Sequence, residues 1–364
     1  MKGRRLLAGV DDPAIRAQFR AAEAFLPFWI GAGGRSPTAD ELEAADAAAH
    51  EALELARGLG DLQLQSEALD AVGGIAQQRG DYAAMAGAAR QRLAFGNRLP
   101  VFERIDAACM VAWAAVATGD LDGATAATDD AMRFIQPGQA ANWSLHLFAW
   151  RTVAASLRGD WDDALVSAGR AQILWIDLER VAAGYATRGF LAAFEIARAR
   201  RDDAGMTRWR EVMEGINHGF TGSIRSEIQA ALVHNDPPAI RRLLEARQAN
   251  AIGYETWERA ISFLCDRGQQ LDETAVDHGL QIVYPQAVMT RAQLARARGL
   301  RTGDRASLEE ALAILRLAGA RPAIARVEIE LGRLTRDDAL VTSGATTLAA
   351  LGDVDQLDRY GLPG

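Results

Sequence analysis

The sequence predicts an all-α protein built by repeating a pair of helices, and three observations lead there. A short turn recurs at Gly80-Asp81, Gly119-Asp120, Gly159-Asp160, Arg201-Asp202, Asn235-Asp236, Gly303-Asp304 and Arg336-Asp337, with Gly268 filling the gap in phase. The spacings are 39, 40, 42, 34, 33, 35 and 33 residues, within the range in which helix-hairpin repeats recur. The stretches between turns are small or apolar at helical intervals. None alternates with a sustained period of two, so essentially no strand is expected.

Taken in order, the first hairpin spans Pro13 to Arg57 and is split by the breaker cluster Gly31-Ala32-Gly33-Gly34-Arg35-Ser36-Pro37. Thr38 then caps a helix, with Glu41 at the capping-box position. The Ala-rich stretch Ala44 to Ala56 continues it as helix, not linker. Later breaks fall at Gly58 to Asp61, Gly96 to Pro100, Gln136 to Gln139, around Gly184, Gly215 to Gly222, Gln248 to Gly253, Tyr284-Pro285 and Gly319 to Pro322. At each repeated turn, Gly takes the left-handed conformation that ends one helix, and Asp caps the free N–H groups of the next. Tyr82 and Trp161 follow the turn and are placed to pack back onto the preceding helix. Ala124 with Ala131, and Ala164 with Ala171, put small residues where two helices approach. Pro237-Pro238 suits a first helical turn, where a missing N–H is harmless. Val354 to Tyr360 reads as a polar cap on the last pair. About nine hairpins result, with 1–60 as an N-terminal hairpin or cap and 61–364 as a repeat array continuous with it.

Composition narrows the function. The 364 residues carry 40 basic and 48 acidic side chains, a formal net charge of −8. Nucleic-acid affinity rests largely on basic contacts to phosphate. The short basic runs at Lys2 to Arg5, Arg198 to Arg201 and Arg241-Arg242 read as solvated faces or tail, so no nucleic-acid partner is expected. Lysine occurs once, at Lys2, which leaves no lysine for a P-loop or a Schiff base within the helices. Two cysteines, Cys109 and Cys265, make no disulfide framework. The apolar stretch Leu6 to Val10 is too short for a signal sequence, and no long apolar window exists, so no membrane partner and a cytoplasmic location are expected.

In phase with the turn, Leu69, Gly73, Gly80 and Tyr82, then Gly119, Ala124 and Ala131, then Gly159, Trp161, Ala164 and Ala171 match the tetratricopeptide (TPR) pattern. Trp257 sits where that pattern expects its tryptophan, while Met85 and Met206 depart from it, and boundaries between 240 and 290 are blurred. The chain therefore resembles the degenerate C-terminal TPR region of MalT-like LuxR-type regulators and of ATPase-linked bacterial nucleotide cyclases. The final unit, Pro322 to Leu334 followed by Arg336-Asp337, is similar to the way those regions end. The resemblance implies a right-handed superhelical solenoid used for interaction, regulation or ligand sensing.

Motifs for catalysis are weak. His50, His146, His218, His234 and His278 include no pair at i, i+4, so no metal site and no cofactor are expected. Cys109 and His146 fall on equivalent helices one repeat apart, but packing explains them more simply than a nucleophile–base dyad. Asp11-Asp12, Asp129-Asp130, Asp162-Asp163, Asp202-Asp203 and Asp337-Asp338 mostly follow helix starts, where capping accounts for them. Gly33-Gly34 and Gly73-Gly74 follow no strand, and Ser36 reads as part of a hinge.

The leading helix of each pair is expected to line a concave groove. Repeat phase puts Glu67, Asp70, Gly74 and Gln77 there, then Asp106, Cys109 and Trp113, then His146, Ala149, Trp150 and Val153, then Arg188, Leu191 and Glu195, and finally Arg225 and Gln229. Trp113, Trp150 and Arg188 are the strongest anchors, because aromatics and arginine dominate binding hot spots. The first functional expectation is a non-catalytic scaffold holding a protein or peptide partner. A second is a small-molecule sensor with an aromatic pocket near Trp113, His146 and Trp150. A third is an enzyme using Cys109, His146, Asp106 and Glu195.

Overall fold

The computed structural model describes residues 11–27, 37–135, 140–217, 224–245, 253–272, 274, 276 and 286–363. The N-terminal basic run, most of the 31–37 breaker with Gly33-Gly34 and Ser36, the break at 136–139, His218, His278 and Tyr284-Pro285 lie outside them. Among the described residues there are eighteen α-helices and no strand. They are α1 (Pro13–Ala24), α2 (Ala39–Leu59), α3 (Leu62–Gln78), α4 (Tyr82–Ala94), α5 (Val101–Thr118), α6 (Leu121–Met132), α7 (Ala141–Arg158), α8 (Trp161–Asp177) and α9 (Thr187–Ala199). There follow α10 (Asp203–Asn217), α11 (Ile224–Val233), α12 (Pro237–Glu245), α13 (Tyr254–Asp266), α14 (Val288–Thr302), α15 (Arg305–Ala318), α16 (Arg321–Thr335), α17 (Asp338–Leu351) and α18 (Val354–Arg359). No described helix is long and apolar enough to cross a membrane.

The repeated turn forms as its chemistry predicts. Gly80, Gly119, Gly159, Gly268 and Gly303 take φ of 72°, 80°, 83°, 60° and 67°, and Arg201, Asn235 and Arg336 take 55°, 55° and 59°. The next residue's N–H reaches back to a carbonyl five residues earlier, as in Asp81 to Ala76 and Asp120 to Ala115, both 2.8 Å. That bond, with the left-handed residue before it, closes the orphan carbonyls of the ending helix. Asp81, Asp120, Asp202 and Asp236 then accept from backbone N–H groups three residues on, at 2.9 to 3.0 Å. Asp160 departs from the rule. Its carboxylate makes no cap and instead meets Arg158 and Arg321. The Thr38–Glu41 capping box is present. Ala124, Ala131, Ala164 and Ala171 are buried, and Trp161 donates to the Ser156 carbonyl of the preceding helix.

Consecutive helices pack as hairpins, and from α3 to α13 every second helix also packs on the next but one. The leading helices α3, α5, α7, α9 and α11 therefore form one rank, the first coil, which runs on into α13, the first helix of the second coil. At Gly189 the approach is close enough to require glycine: an added Cβ would lie 2.9 Å from the Ala149 Cα.

The chain then returns onto itself. α14 meets α5, α16 meets α7, and α18 meets α9. The turn glycines of the first coil abut the joints of the second: a Cβ at Gly119 would touch Ala318, and one at Gly159 would touch Leu351, Pro322 and Arg321. The seam is also hydrogen-bonded. Ala83 N–H donates to Gln286 Oε1 at 2.9 Å, Tyr254 Oη to the Trp113 carbonyl at 2.8 Å, Arg321 Nε to the Arg158 carbonyl at 2.6 Å and Arg200 Nε to the Leu351 carbonyl at 3.3 Å. A single apolar cluster runs from Ala76 through both coils to Leu331. In place of an open basin, the inner rank of the first coil faces the chain's own second coil.

Candidate functional site

The inner-wall residues named from repeat phase divide into three groups. The first is an aromatic–arginine centre. Trp113 comes from α5, His146 and Trp150 from α7, and Arg188 from α9, so neighbouring leading helices bring them to one level. The Trp113 and Trp150 rings lie 5.3 Å apart. The Arg188 guanidinium stands 4.7 Å from the Trp113 ring and 4.2 Å from the Trp150 ring, within cation–π range. Trp150 Nε1 donates to His146 Nε2 at 3.0 Å. All four residues are buried. Arg225 is half-buried, donates to the Gly184 carbonyl at 3.5 Å, and adds positive charge near His146. The cover is α13: Glu255 Oε1 approaches Arg188 Nε at 3.6 Å, and Tyr254 bonds the Trp113 backbone.

This environment quiets the groups that an enzyme would use. Burial, with Arg188 and Arg225 nearby, lowers the His146 pKa to about 3, so the imidazole is neutral at pH 7 and takes its hydrogen bond from Trp150. Burial pushes the Cys109 thiol well above its ordinary range, and the Asp106 charge pushes it further. A thiolate nucleophile needs the opposite shift.

The second group is a buried ion cluster. Arg92 of α4 meets Asp70 at 2.6 Å, Glu103 at 2.7 Å and Asp106 at 2.7 Å, and its Nε donates to Ser66 at 3.1 Å. Three carboxylates share one guanidinium. Desolvation and the Asp70 charge raise Asp106 to about 8, and Asp70 is raised by burial as well. The cluster therefore retains a proton at neutral pH and serves as a structural tie between α3, α4 and α5. Glu67 stands apart, half-buried and bonded to Gln63.

The third group lies between the coils. Glu195, the last of the acids read from phase, pairs with Arg259 of α13 rather than joining the tryptophans. Around this pair is a cavity of about 80 Å³. Its wall draws Trp161 and Arg198 from the first coil, Glu258, Phe263 and Asp266 from α13, Arg326 from α16 and Gln356 from α18. Arg326 binds Asp266 at 3.3 Å and Asp353 at 3.1 Å. Beside it, Arg296 is fully buried between Asp266 at 2.7 Å and Glu330. Burial raises the Glu258 carboxyl to about 7, against the pull of Arg259, and Gln293 Nε2 donates to it at 3.3 Å.

Sequence phase found the first centre, half of the second and one residue of the third. Arg92 was missed because it lies on a trailing helix. Arg198, Arg259 and Arg326 were missed because no local pattern reveals which parts of two coils meet. Among the described residues no group of His, Cys, Asp and Glu side chains could hold a metal ion. No protein-family model matches the chain, and no curated protein is similar to it.

Proposed function

We propose that the chain is a non-catalytic sensor module, a right-handed TPR-type array whose two coils close on a small polar ligand and whose occupancy regulates a protein partner in the cytoplasm. The observation that carries this reading is the charged cavity between the coils, where Arg198, Arg259 and Arg326 converge from three helices, one of the first coil and two of the second. A ligand held by all three adds to the contacts that keep the coils together, so binding is coupled to closure. The volume of about 80 Å³ suits a ligand of a few heavy atoms, below the roughly 300–1,000 Å³ of sites for larger ligands.

An extended peptide along the concave face is less well supported, because Trp113, Trp150 and Arg188 are already covered by α13. An enzyme built on Cys109 and His146 is less well supported too, since both are held in unreactive protonation states. The charged cavity near Arg259, rather than an aromatic pocket near Trp113, is the proposed ligand site.

Native mass spectrometry of the purified chain, titrated with fractionated small-molecule extract, tests the reading. The expected result is a bound molecule recovered unchanged, with slowed amide exchange in α9, α13 and α16. A recovered molecule that has been chemically converted with turnover makes the chain an enzyme. If no fraction changes exchange along the seam, the sensor reading fails.

A further inference from the structure

The three arginines around the intercoil cavity are unequally satisfied. Arg326 uses Nη1 and Nη2 on Asp266 and Asp353, and its Nε has no hydrogen-bond partner. Arg259 uses Nη1 on Glu195, while Nε and Nη2 are unpaired. Arg198 forms no ion pair with any described residue. Its guanidinium lies 5.0 Å from the Phe263 ring and 6.0 Å from the Phe194 ring, and Nη1 is unpaired. Four buried N–H-bearing nitrogens on cavity-lining side chains thus lack acceptors. Among the buried oxygens of the described lining side chains, only Gln356 Oε1 is similarly unpaired. Buried donors without acceptors are uncommon and expensive in folded proteins. A guanidinium that Glu195, Asp266 and Asp355 reach only at a distance, with no direct ion pair, adds to that cost.

The deficit specifies the missing chemistry: acceptor oxygens carrying one negative charge. A guanidinium matches a carboxylate or a phosphate in geometry. The rest of the wall separates the two. Glu195, Glu258, Asp266, Asp353 and Asp355 share it; four of these are ion-paired to other arginines, so a second negative charge on the ligand would be repelled, while the first meets Arg198, which makes no ion pair. Trp161 and Phe263 supply an apolar surface for a short hydrocarbon.

We propose that the cavity binds a small organic monocarboxylate, its oxygens accepting from Arg198 and Arg259 and its carbon chain resting on Trp161 and Phe263. This rests on the sensor reading and names its ligand class. The carboxylate gives Arg198 the direct ion pair it does not make and ties α9 of the first coil to α13 of the second.

The test uses the full chain at pH 7 and constant ionic strength, with sodium propionate, propionamide, ethylammonium chloride, sodium phosphate and sodium chloride as probes. Thermal unfolding and amide exchange in α9 and α13 are the readouts. Propionate is expected to raise the Tm saturably and slow exchange in both helices, with an apparent affinity at least tenfold above that of phosphate. Propionamide and chloride are expected to do neither. In Arg198→Met the propionate affinity is expected to fall at least tenfold. Equal effects of propionate and propionamide on the unaltered chain overturn the proposal, and this comparison needs no variant. Phosphate binding more tightly than propionate overturns it, as does an Arg198→Met affinity within twofold of the original. If ethylammonium or propionamide alone protects the seam, the carboxylate assignment falls and the sensor reading stands. If no probe and no extract fraction acts there, both fall.

Discussion

Arg188 and Arg198 lie on the same helix, α9, and meet opposite surroundings. Arg188 is held between two tryptophan faces at 4.2 and 4.7 Å and lies 3.6 Å from a carboxylate of α13. Its surroundings are filled by aromatic rings. Arg198, ten residues further on, has phenylalanine rings at 5.0 and 6.0 Å and a cavity beside it. Both positions bury a cation between the coils. Each leaves buried guanidinium nitrogens without a hydrogen-bond partner, but Arg188 has a carboxylate at 3.6 Å and two tryptophan faces, while Arg198 makes no ion pair with a described residue and borders a cavity. Aromatic density, not burial alone, separates a packed centre from a candidate binding site.

The contrast is broken most severely by removing an aromatic wall. Trp150 is fully buried, so Trp150→Ala is expected to destabilise the chain by about 3–5 kcal/mol, read from urea denaturation. A loss below about 1 kcal/mol would mean that the two centres are packed alike.

The next largest effect is a pair of opposite pH dependences. His146 has its pKa lowered from 6.5 to about 3, chiefly by burial, so in that window the unfolded chain binds a proton that the folded chain does not. Its contribution to stability is full above pH 6.5 and is lost as pH falls. Glu258 has its carboxyl raised from 4.5 to about 7, again chiefly by burial, with Arg259 and Arg326 opposing, Glu195 adding to the rise, and Gln293 donating. Here the folded chain holds the extra proton, so stability falls as pH rises from 4.5 to 7 and the loss persists above. Each effect is on the order of 1–3 kcal/mol. Denaturation midpoints between pH 4 and 8 should show the alkaline decline flattened in Glu258→Gln and the acid decline flattened in His146→Gln. If neither variant changes its own limb, the protonation states assigned to the two centres are wrong.

How much of this was legible in the sequence depends on range. The turns were, because Gly80 or Gly119 in the left-handed region followed by a capping Asp is a local device. Trp113, Trp150 and Arg188 were, because one repeat phase carries them across three neighbouring leading helices. Arg92 was not, since its inward reach depends on three acids gathered from α3 and α5. The cavity was not, because Arg198 and Arg326 are joined only through coil closure, and the phase blurs between 240 and 290. Arg321 shows the same limit: it reaches Asp160 across half the chain and removes the cap that the local sequence promised.

A smaller effect comes from the seam itself. Tyr254 is buried and donates to the Trp113 carbonyl at 2.8 Å. Tyr254→Phe is expected to lower stability by about 1 kcal/mol and to speed amide exchange in α13 before α7. Equal acceleration in both helices would mean that the coils open as one unit, with no weaker second coil.

The smallest predicted change has the most unusual sign. Most arginines in this interior are tied to acids, and truncating one such as Arg296 would leave Asp266 to Arg326 alone and Glu330 with no cation, only the Tyr360 hydroxyl. Arg198 strands nothing when removed, because no described carboxylate pairs with it, and burial already lowers its pKa. Replacing it with methionine exchanges a cation that makes no ion pair for an apolar chain of similar length against Phe263. Arg198→Met is therefore expected to leave the ligand-free chain unchanged or more stable by up to about 1 kcal/mol, measured by urea denaturation at pH 7. Surface-like losses are excluded by its burial, and core-like losses by the lack of a partner. A destabilisation above about 2 kcal/mol would show that Arg198 is held by its surroundings as firmly as Arg188 is by its tryptophans, and the distinction between the two ends of α9 would disappear.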